Sequence, residues 1–265
     1  MGTEIEVFEE SRFPALMGAA GELAEIIAEN LGPDGLQPQD LTRISIPTGG
    51  ATSWQVETLT GIEDYKSIEG VVIAWGTTRK YWALGLDDAA ETTPPDCASA
   101  DGSIGSGQFG AGSSLHPSGD CITCPMNQWG SGSDEPGDKG PKACAEGKLL
   151  FILREGDIIP VTITCPPTSI KPLRTYMTEL VKAQKAASGV VTKLELERAE
   201  SAGRKWSVVR PTLTGILEPA AAAQAKAMGA SVKGDYLARM AELRSSAAAG
   251  DVIDVDDVTA TTASD

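Results

Sequence analysis

The first hydrophobic pattern along the chain is helical. Residues 14–32 carry apolar side chains at helical spacing, and Gly32-Pro33 is a stop signal. The positions on this predicted face are Leu16, Ala20, Leu23, Ile26 and Ile27. Short alternating patterns follow at Ile44 and Ile46 and again in SWQVET, with a turn at Gly49-Gly50 between them. The sequence therefore predicts one helix followed by short strands.

The central part of the chain reads mainly as strands. Residues 70–76 and 80–85 predict a hairpin whose connection is Thr77-Thr78-Arg79. Residues 148–154 predict a further strand, and the next one has a single apolar face formed by Ile159, Val161, Ile163 and Cys165. A second hairpin is predicted from VVTKLELE and KWSVVRP, which are joined by the turn Ser201-Ala202-Gly203.

Two further helical patterns are present. Residues 170–187 carry an apolar stripe at Leu173, Tyr176, Met177, Leu180 and Ala183, and their opposite side carries Arg174, Lys182 and Lys185. From residue 218 the sequence is rich in alanine and predicts one or two helices. This order of elements indicates an α+β fold, mainly antiparallel β, arranged as in a small Greek-key barrel.

Composition limits the class of protein. The chain has 265 residues, of which 41% are hydrophobic, but it has no apolar run of about 18 residues. Its acidic N-terminal segment lacks the basic and apolar regions of a secretory signal. We therefore expect a cytoplasmic protein with no membrane partner.

The charge of the chain is unevenly distributed. The net charge is −15, yet residues 141–210 carry twelve basic and seven acidic side chains, while the flanking sequence is acidic. A basic centre of this kind can hold nucleic acid in one groove. The alternative is an ordinary solvated surface of mixed charge.

Four of the five cysteines lie in a segment, residues 87–144, that is rich in Gly, Ser, Pro and Asp and has little periodicity. So long a loop needs a reason, and a metal supplies one. Cys121 and Cys124 can coordinate one metal ion, and Cys97 and Cys144 would complete a closed tetrahedral shell typical of structural zinc. A thioredoxin-like redox pair is the competing interpretation.

The other two potential metal ligands have different interpretations. His116, the only histidine, is able to replace Cys97 as a ligand, but its position between Leu115 and Pro117 favours an ordinary loop residue. Cys165 lies in a strand pattern, and we predict that it is part of the core.

Motifs of catalysis are weak or missing in the sequence. Gly105-Ser-Gly107-Gln-Phe-Gly110 matches GxGxxG, but no predicted strand precedes it and no predicted helix follows it. There is no GxxxxGK[ST] phosphate loop, and a single histidine leaves little basis for a catalytic triad. We expect a protein that is not an enzyme.

Aromatic and basic residues recur together on successive predicted strands. Flat rings beside cations suit single-stranded nucleic acid, because bases stack on rings and phosphates pair with cations. Each ring taken alone is more typical of a core, and we expect at least one of Trp82 and Trp206 to be core. With the basic face of the predicted helix 170–187, the candidates are Trp75, Arg79, Lys80, Tyr81, Trp82, Lys148, Phe151, Arg154, Arg174, Lys182, Lys185, Arg204, Lys205, Trp206 and Arg210.

Four segments resemble a known family: PDCASADG, CITCPMNQWGSG, GKLLFILREGDIIPVTITCPPTS and VVTKLELERAESAGRKWSVVRP. They are similar to segments of tailed-phage proteins thought to bind single-stranded DNA, and the similarity covers roughly residues 35–215. Its most specific part is Cys-x-x-Cys-Pro-x-Asn-x-Trp-Gly-Ser. The resemblance implies an OB-like barrel with an inserted zinc element, with the four cysteines, Cys97, Cys121, Cys124 and Cys144, as ligands of one structural Zn²⁺ per chain.

The resulting domain hypothesis has four parts. Residues 1–34 form a helical segment, 35–215 an OB-like core with a zinc-binding insertion at 87–147, 216–249 an Ala-rich helical segment, and 250–265 a disordered acidic tail. In the tail, Asp254, Asp256 and Asp257 are candidates for binding replication or recombination proteins. The expected function is sequence-independent single-stranded DNA binding in phage DNA replication or recombination.

Two alternatives stay open at this point. One is a zinc-stabilised structural or adaptor protein that does not bind nucleic acid, in which the rings are core. The other is an accessory factor of a nuclease that carries a zinc ribbon.

Overall fold

The fold is a mixed α+β arrangement with a mostly antiparallel sheet curled into a half-barrel and three helices. The computed structural model describes residues 6–8, 12–17, 20–83, 94–114, 116, 118–133 and 140–248. The helices are α1 (Ala20–Leu31), α2 (Pro167–Lys182) and α3 (Pro219–Ala248). In this part of the chain no helix is both long and apolar enough to cross a membrane.

Ten strands are present in the described residues. They are β1 (Glu6–Phe8), β2 (Arg43–Ile44), β3 (Trp54–Thr58), β4 (Gly61–Tyr65), β5 (Ser67–Tyr81), β6 (Cys97–Ser99), β7 (Ala145–Arg154), β8 (Val161–Cys165), β9 (Val190–Ser201) and β10 (Arg204–Leu217). The main sheet has the order β1-β10-β9-β5-β7-β8-β2, with β6 paired to β5, and β3 and β4 form a separate hairpin. The pairs β1–β10 and β2–β8 are parallel, and the remaining pairs are antiparallel.

The centre of the sheet is buried on both faces. Along β7, Leu150 and Ile152 face a core that includes Leu173 of α2. The alternate residues Leu149, Phe151 and Leu153 face a second core, which is covered by α3. An uninterrupted apolar run such as LLFIL is therefore the pattern expected of a strand covered on both sides.

Strand β5 corrects one prediction. The predicted hairpin connection at Thr77-Thr78-Arg79 is wrong, because β5 is a single strand of 15 residues. These three residues pair with Lys148, Gly147 and Glu146 of β7. Threonine is β-branched and favours an extended backbone, so polar character alone did not indicate a turn here.

The N-terminal helix also differs from its prediction. Pro14–Leu16 forms a separate 3₁₀ turn, and α1 starts only at Ala20. Leu16 is buried in the core, whereas Ile26 is 50% exposed and Leu31 is 43% exposed. The predicted apolar face therefore does not enter the core as a whole.

The second helix and second hairpin lie close to where the sequence predicts them. Leu173 and Leu180 of α2 are buried, and the hydroxyl of Ser169 accepts a hydrogen bond from the Val209 amide at 3.0 Å. The turn between β9 and β10 is formed by Ala202 and Gly203, both with positive φ, 50° and 78°. Two such residues are typical of a type I′ hairpin turn.

The Ala-rich segment forms one long helix that covers the second core. Ala221 and Ala225 are 1% and 0% exposed. At Gly229, four residues further on, an added Cβ would lie only 1.9 Å from the carbonyl oxygen of Ile73, where the β5–β7 register shifts. Small side chains at this spacing let the helix backbone approach the sheet closely. The tail, residues 250–265, with Asp254, Asp256 and Asp257, lies outside the described residues.

Candidate functional site

Four cysteines surround one small cavity of about 20 Å³. Cys97 lies on β6 opposite Tyr81 of β5, and Cys144 comes directly before β7. Cys121 and Cys124 belong to a tight turn of the intervening loop. A space of this size accepts a single water-sized particle, so it has the dimension of an ion site.

Backbone hydrogen bonds hold the loop around this cavity. The Cys121 amide donates to Ser103 O at 2.8 Å, and the Cys144 amide donates to Met126 O at 2.9 Å. Gly105 lies so close to Cys97 that an added Cβ would be 2.6 Å from the Cys97 sulfur. The first glycine of the GxGxxG match thus serves close packing, and the match does not open a helix: in the described residues up to 133 the helical structure after it is the 3₁₀ turn Pro125–Asn127.

The thiols affect one another electrostatically. Burial and the proximity of the other three cysteines raise the pKa of Cys97 from its ordinary 9.0 to about 11. Burial also raises the pKa of Cys144 to about 11, although the nearby Arg79 guanidinium acts in the opposite direction. The pKa of Cys121 is raised by burial as well. The four sulfur atoms therefore form one electrostatic cluster.

A partly buried arginine lies beside this cluster. Arg79, with a side chain 13% exposed, donates to Asn127 Oδ1 at 2.7 Å and to Glu146 Oε2 at 2.9 Å. Asn127 in turn donates through Nδ2 to Cys121 O at 2.6 Å. Arg79 Nε is buried and has no hydrogen-bond partner within the described structure. This network joins β5, the Cys-x-x-Cys turn and β7.

The cluster is not already arranged as a metal complex. Within the described residues no three His, Cys, Asp or Glu side chains form a group positioned to hold an ion. The four thiols nevertheless line one cavity, and burial together with the neighbouring thiols raises the pKa of Cys97 and Cys144. His116 also lines the cavity, but its Nε2 lies 2.6 Å from Asp120 O.

The fifth cysteine is apart from the cluster. Cys165 is 0% exposed and belongs to the core that faces α2, so its predicted core position is confirmed. Burial raises its pKa to about 12.

A second feature is a groove that contains two tryptophans. Trp82 at the end of β5 and Trp206 on β10 both line this space of about 660 Å³, which we call the tryptophan-pair groove. Both rings are partly buried and neither belongs to the two core clusters, and the expectation that at least one of them is core stays a prediction. The groove also contains four cationic side chains: Arg43, Lys80, Arg204 and Lys205.

Two more grooves continue from the first. The segment between β6 and β7 carries Cys121, Cys124 and Cys144, and we call it the cysteine loop. The Trp129 groove, about 730 Å³, lies between this loop and α2, and it shares Ala145, Glu146 and Pro167 with the tryptophan-pair groove. The Trp75 groove, about 380 Å³, shares Arg174 and Glu146 with the Trp129 groove. The three grooves therefore adjoin one another, with Glu146 lining all of them, and we call them together the depression.

The charge of this depression is opposite to that of the chain. The sequence as a whole has 22 basic and 37 acidic side chains. Among the described residues the three grooves are lined by two carboxylates, Glu146 and Glu179, and by a larger set of cations: Arg43, Lys80, Lys142, Lys148, Lys171, Arg174, Arg204 and Lys205. Four tryptophans line the same surface: Trp75, Trp82, Trp129 and Trp206.

Two of the cations lie close to indole rings. Lys148 Nζ is 5.9 Å from the centroid of the Trp75 ring, and Lys142 Nζ is 5.4 Å from that of Trp129. Trp75 and Trp129 are 45% and 75% exposed. Rings and cations at this spacing present an apolar face and positive charge side by side.

Comparisons with known proteins give no match. No family model matches the sequence, and neither a curated protein nor a solved structure is similar enough to count as a relative. The resemblance to the phage proteins therefore stays a prediction, and the site is interpreted from its own geometry.

The three grooves together contain about half of the candidates for DNA contact. These residues are Trp75, Lys80, Trp82, Lys148, Arg174, Arg204, Lys205 and Trp206. Phe151 is different: it is 1% exposed and packs edge-on against Tyr236, so it cannot stack on a ligand while the fold is intact. Tyr81 packs against Phe109 beside the cysteine cavity, and Arg79 is held in the network described above.

The remaining basic candidates lie elsewhere. Arg154 pairs with Asp157 and lies six residues beyond Lys148 on β7, about 20 Å away. Arg210 pairs with Glu197, and Lys182 pairs with Glu179. Lys185 is exposed, and it does not line the three grooves.

Four aromatic or basic residues that line the three grooves were not among the sequence candidates. Arg43 lies on the edge strand β2, and Lys171 lies on α2 one turn before Arg174. Trp129 and Lys142 lie in the cysteine loop, 13 positions apart. In the sequence of the loop, the available signal was a tryptophan five positions after the Cys-x-x-Cys pair. A loop with little core of its own has few places to bury so large a ring.

Proposed function

We propose that this chain is a sequence-independent single-stranded DNA-binding protein of phage replication or recombination, built on an OB-like half-barrel and stabilised by one structural Zn²⁺. The DNA lies in the tryptophan-pair groove, and the protein is not an enzyme. The acidic tail recruits replication or recombination proteins. The choice of DNA over RNA rests on the family resemblance of the sequence.

The observation that carries this proposal is the sign of charge in the groove. In a chain of net charge −15, cations and tryptophans are gathered on one depression, with two carboxylates among its described lining. Phosphates pair with such cations, and every base has a flat face that stacks on a ring. A ligand that is both polyanionic and rich in flat rings fits this surface.

The zinc proposal rests on the donor set and its surroundings. Four thiols at one ion-sized cavity would supply Cys97, Cys121, Cys124 and Cys144 as a closed shell with no open position, as structural zinc requires. Four thiolates around Zn²⁺ carry a net charge of −2, which the partly buried Arg79 guanidinium would partly neutralise. This guanidinium already interacts with the Cys144 thiol, and a thiolate would also accept a hydrogen bond from its buried Nε. The bound ion supplies folding free energy to a loop that has little core of its own.

The salt dependence of oligo-dT binding separates this proposal from an adaptor that does not bind nucleic acid. Binding of labelled oligo-dT should weaken steeply as salt rises, with a slope of about −0.7 for each phosphate contacted. Trp82→Ala and Trp206→Ala should each weaken binding by about 1–3 kcal/mol while the melting temperature is kept. Absence of binding at low salt would favour an adaptor that does not bind nucleic acid, and a strong preference for oligo-U would assign the groove to RNA.

Two cations of β10 provide a matched pair for this test. Lys205 lines the tryptophan-pair groove, whereas Arg210 on the same strand is paired with Glu197. Lys205→Gln should reduce the salt slope by about 0.7, because one phosphate contact is lost. Arg210→Gln should leave the slope unchanged.

A further inference from the structure

The cysteine loop presents its own ring to the groove. Trp129 follows the Cys-x-x-Cys turn by five positions, and its side chain is 75% exposed. Burying an indole is favourable in water, so a ring left this exposed on a well-packed loop suits contact with a ligand. The neighbouring Ile122 is equally exposed, at 77%, but it does not line the groove.

The space in front of Trp129 is cationic on both sides. On the loop side, Lys142 Nζ lies 5.4 Å from the centroid of the Trp129 ring and 3.1 Å from Asn127 Oδ1. On the helix side, Lys171 and Arg174 of α2 line the same groove. Phosphates on either side of a stacked base would therefore meet positive charge.

The Trp129 groove adjoins the tryptophan-pair groove, and the two share Ala145, Glu146 and Pro167. The Trp75 groove borders both of them, because Glu146 lines all three. A strand that leaves Trp82 and Trp206 is therefore able to continue to Trp129.

We propose that the cysteine loop is a second base-stacking platform, in which Trp129 holds a base while Lys142, Lys171 and Arg174 hold the adjoining phosphates. This inference rests on the proposed function, and it extends the bound strand beyond the tryptophan-pair groove. The loop then contacts DNA directly, in addition to stabilising the fold. Cys144 lines both the cysteine cavity and the Trp129 groove, so the platform is backed by the thiol cluster.

A series of oligo-dT lengths, from about 4 to about 16 nucleotides, tests this arrangement. Trp129→Ala should weaken binding of the long oligonucleotides by about 5- to 150-fold and leave the shortest ones that bind unchanged. Trp129→Phe should recover most of the loss, because a flat ring is restored. Ile122→Ala is the matched control and should bind like the unmodified protein at every length.

The outcomes separate this inference from the function on which it rests. If the unmodified protein binds no oligo-dT, the proposed function fails. If it binds, but Trp129→Ala equals it at every length, the platform is refuted and the proposed function stands. Lys171→Gln, an exposed helix position, gives a second measurement: it should lower the salt slope for long oligonucleotides only, and an unchanged slope contradicts the platform.

Discussion

Arg79 donates a hydrogen bond of 2.7 Å from Nη1 to Oδ1 of Asn127, and this contact links the end of β5 to the Cys-x-x-Cys turn. The second terminal nitrogen of Arg79, Nη2, donates a hydrogen bond to Glu146 of β7. Asn127 Nδ2 donates a hydrogen bond to Cys121 O. Burial acts to raise the pKa of Glu146, but the hydrogen bond from Lys148 and nearby positive charges outweigh it, so this pKa is lowered. An ionised Glu146 holds the two cations of the network in place.

The first prediction concerns Asn127, which is 8% exposed. Asn127→Ala removes the acceptor of the Arg79 guanidinium and leaves Cys121 O without its donor. The free energy of unfolding should fall by about 1–3 kcal/mol, because buried polar groups lose their partners. Urea denaturation measures it. Gln128→Ala is the control, since Gln128 is exposed and water replaces its bonds; an equal loss in both variants would contradict the role of Asn127.

The second prediction is stoichiometric zinc. Elemental analysis should find about one zinc per chain, and a chelator should lower the melting temperature, because the metal stabilises the folded loop. Cys121→Ser or Cys124→Ser should unfold the 87–147 region, which limited proteolysis detects. Cys165→Ser is the control and should keep its zinc, because Cys165 lies in the core. Metal-free protein with an unchanged melting temperature would refute the zinc site.

The third prediction is a pH dependence that zinc reverses. In the zinc-free protein the pKa values of Cys97 and Cys144 are raised from 9.0 to about 11. A thiol with a raised folded-state pKa stabilises the fold below its unfolded pKa, and this contribution is lost as pH rises through the folded pKa. The zinc-free protein should therefore lose unfolding free energy between pH 9.0 and about 11.

Zinc removes this loss because it binds the thiolates, which are already deprotonated. Denaturant titrations at about pH 8 and about pH 10, with and without chelator, measure the difference. Cys165 has a raised pKa in both forms, so its effect cancels in the comparison. A parallel decline of both forms would show that the four thiols do not share a metal.

The fourth prediction compares two glycines of α3. A Cβ at Gly229 would lie 1.9 Å from Ile73 O, whereas a Cβ at Gly234 meets nothing within 4 Å. Gly229→Ala should destabilise the protein by about 1–3 kcal/mol, because the helix must move off the sheet. Gly234→Ala should stabilise it by up to about 1 kcal/mol through helix propensity. Equal effects on thermal or urea unfolding would show that α3 does not pack closely on β5.

The parts of the fold that the sequence predicted well are those with local periodicity. The β9–β10 hairpin and α2 bury one face each, and their patterns repeat within a few residues. Strand β5 was misinterpreted at Thr77-Thr78-Arg79, because its polar side chains are satisfied by distant partners. Thr77 Oγ1 accepts from Lys148 Nζ at 2.7 Å, and Arg79 reaches Asn127, 48 positions away. No local pattern contains such contacts.

The sequence predicted only part of the aromatic and basic residues that line the three grooves, for the same reason. Trp82 comes directly after β5 and Trp206 lies on β10, and the cations next to them in sequence line the same groove. Trp129 and Lys142 lie in a loop without periodicity, and only the folded loop brings the amine to the ring. Conversely, Phe151 follows Lys148 closely in sequence, but residues three apart on a strand lie on opposite faces, so Lys148 lines the Trp75 groove and Phe151 packs in the core covered by α3.

The last prediction concerns the tail, DVIDVDDVTATTASD, which carries five aspartates and no basic residue. The preceding helix α3 passes Arg43, a groove residue that lowers the pKa of Tyr236 against the larger effect of burial. From Ala248 the remaining 17 residues span at most roughly 60 Å, so the tail is able to reach the groove. Carboxylates tethered in this way would reach a high local concentration at the groove and would compete there with a phosphate backbone.

Deleting residues 250–265 should therefore tighten binding of oligo-dT, and it should do so more at low salt, because screening weakens the competition at high salt. The same deletion should abolish binding to any replication protein that recognises the tail. A variant with Asp254→Asn, Asp256→Asn and Asp257→Asn keeps the tail length and is the matched control for charge. If competition is electrostatic, this variant should resemble the deletion in its DNA affinity. Equal affinity of all three proteins at low ionic strength would instead assign the tail to solubility, since a competing polyanion cannot be removed there without effect.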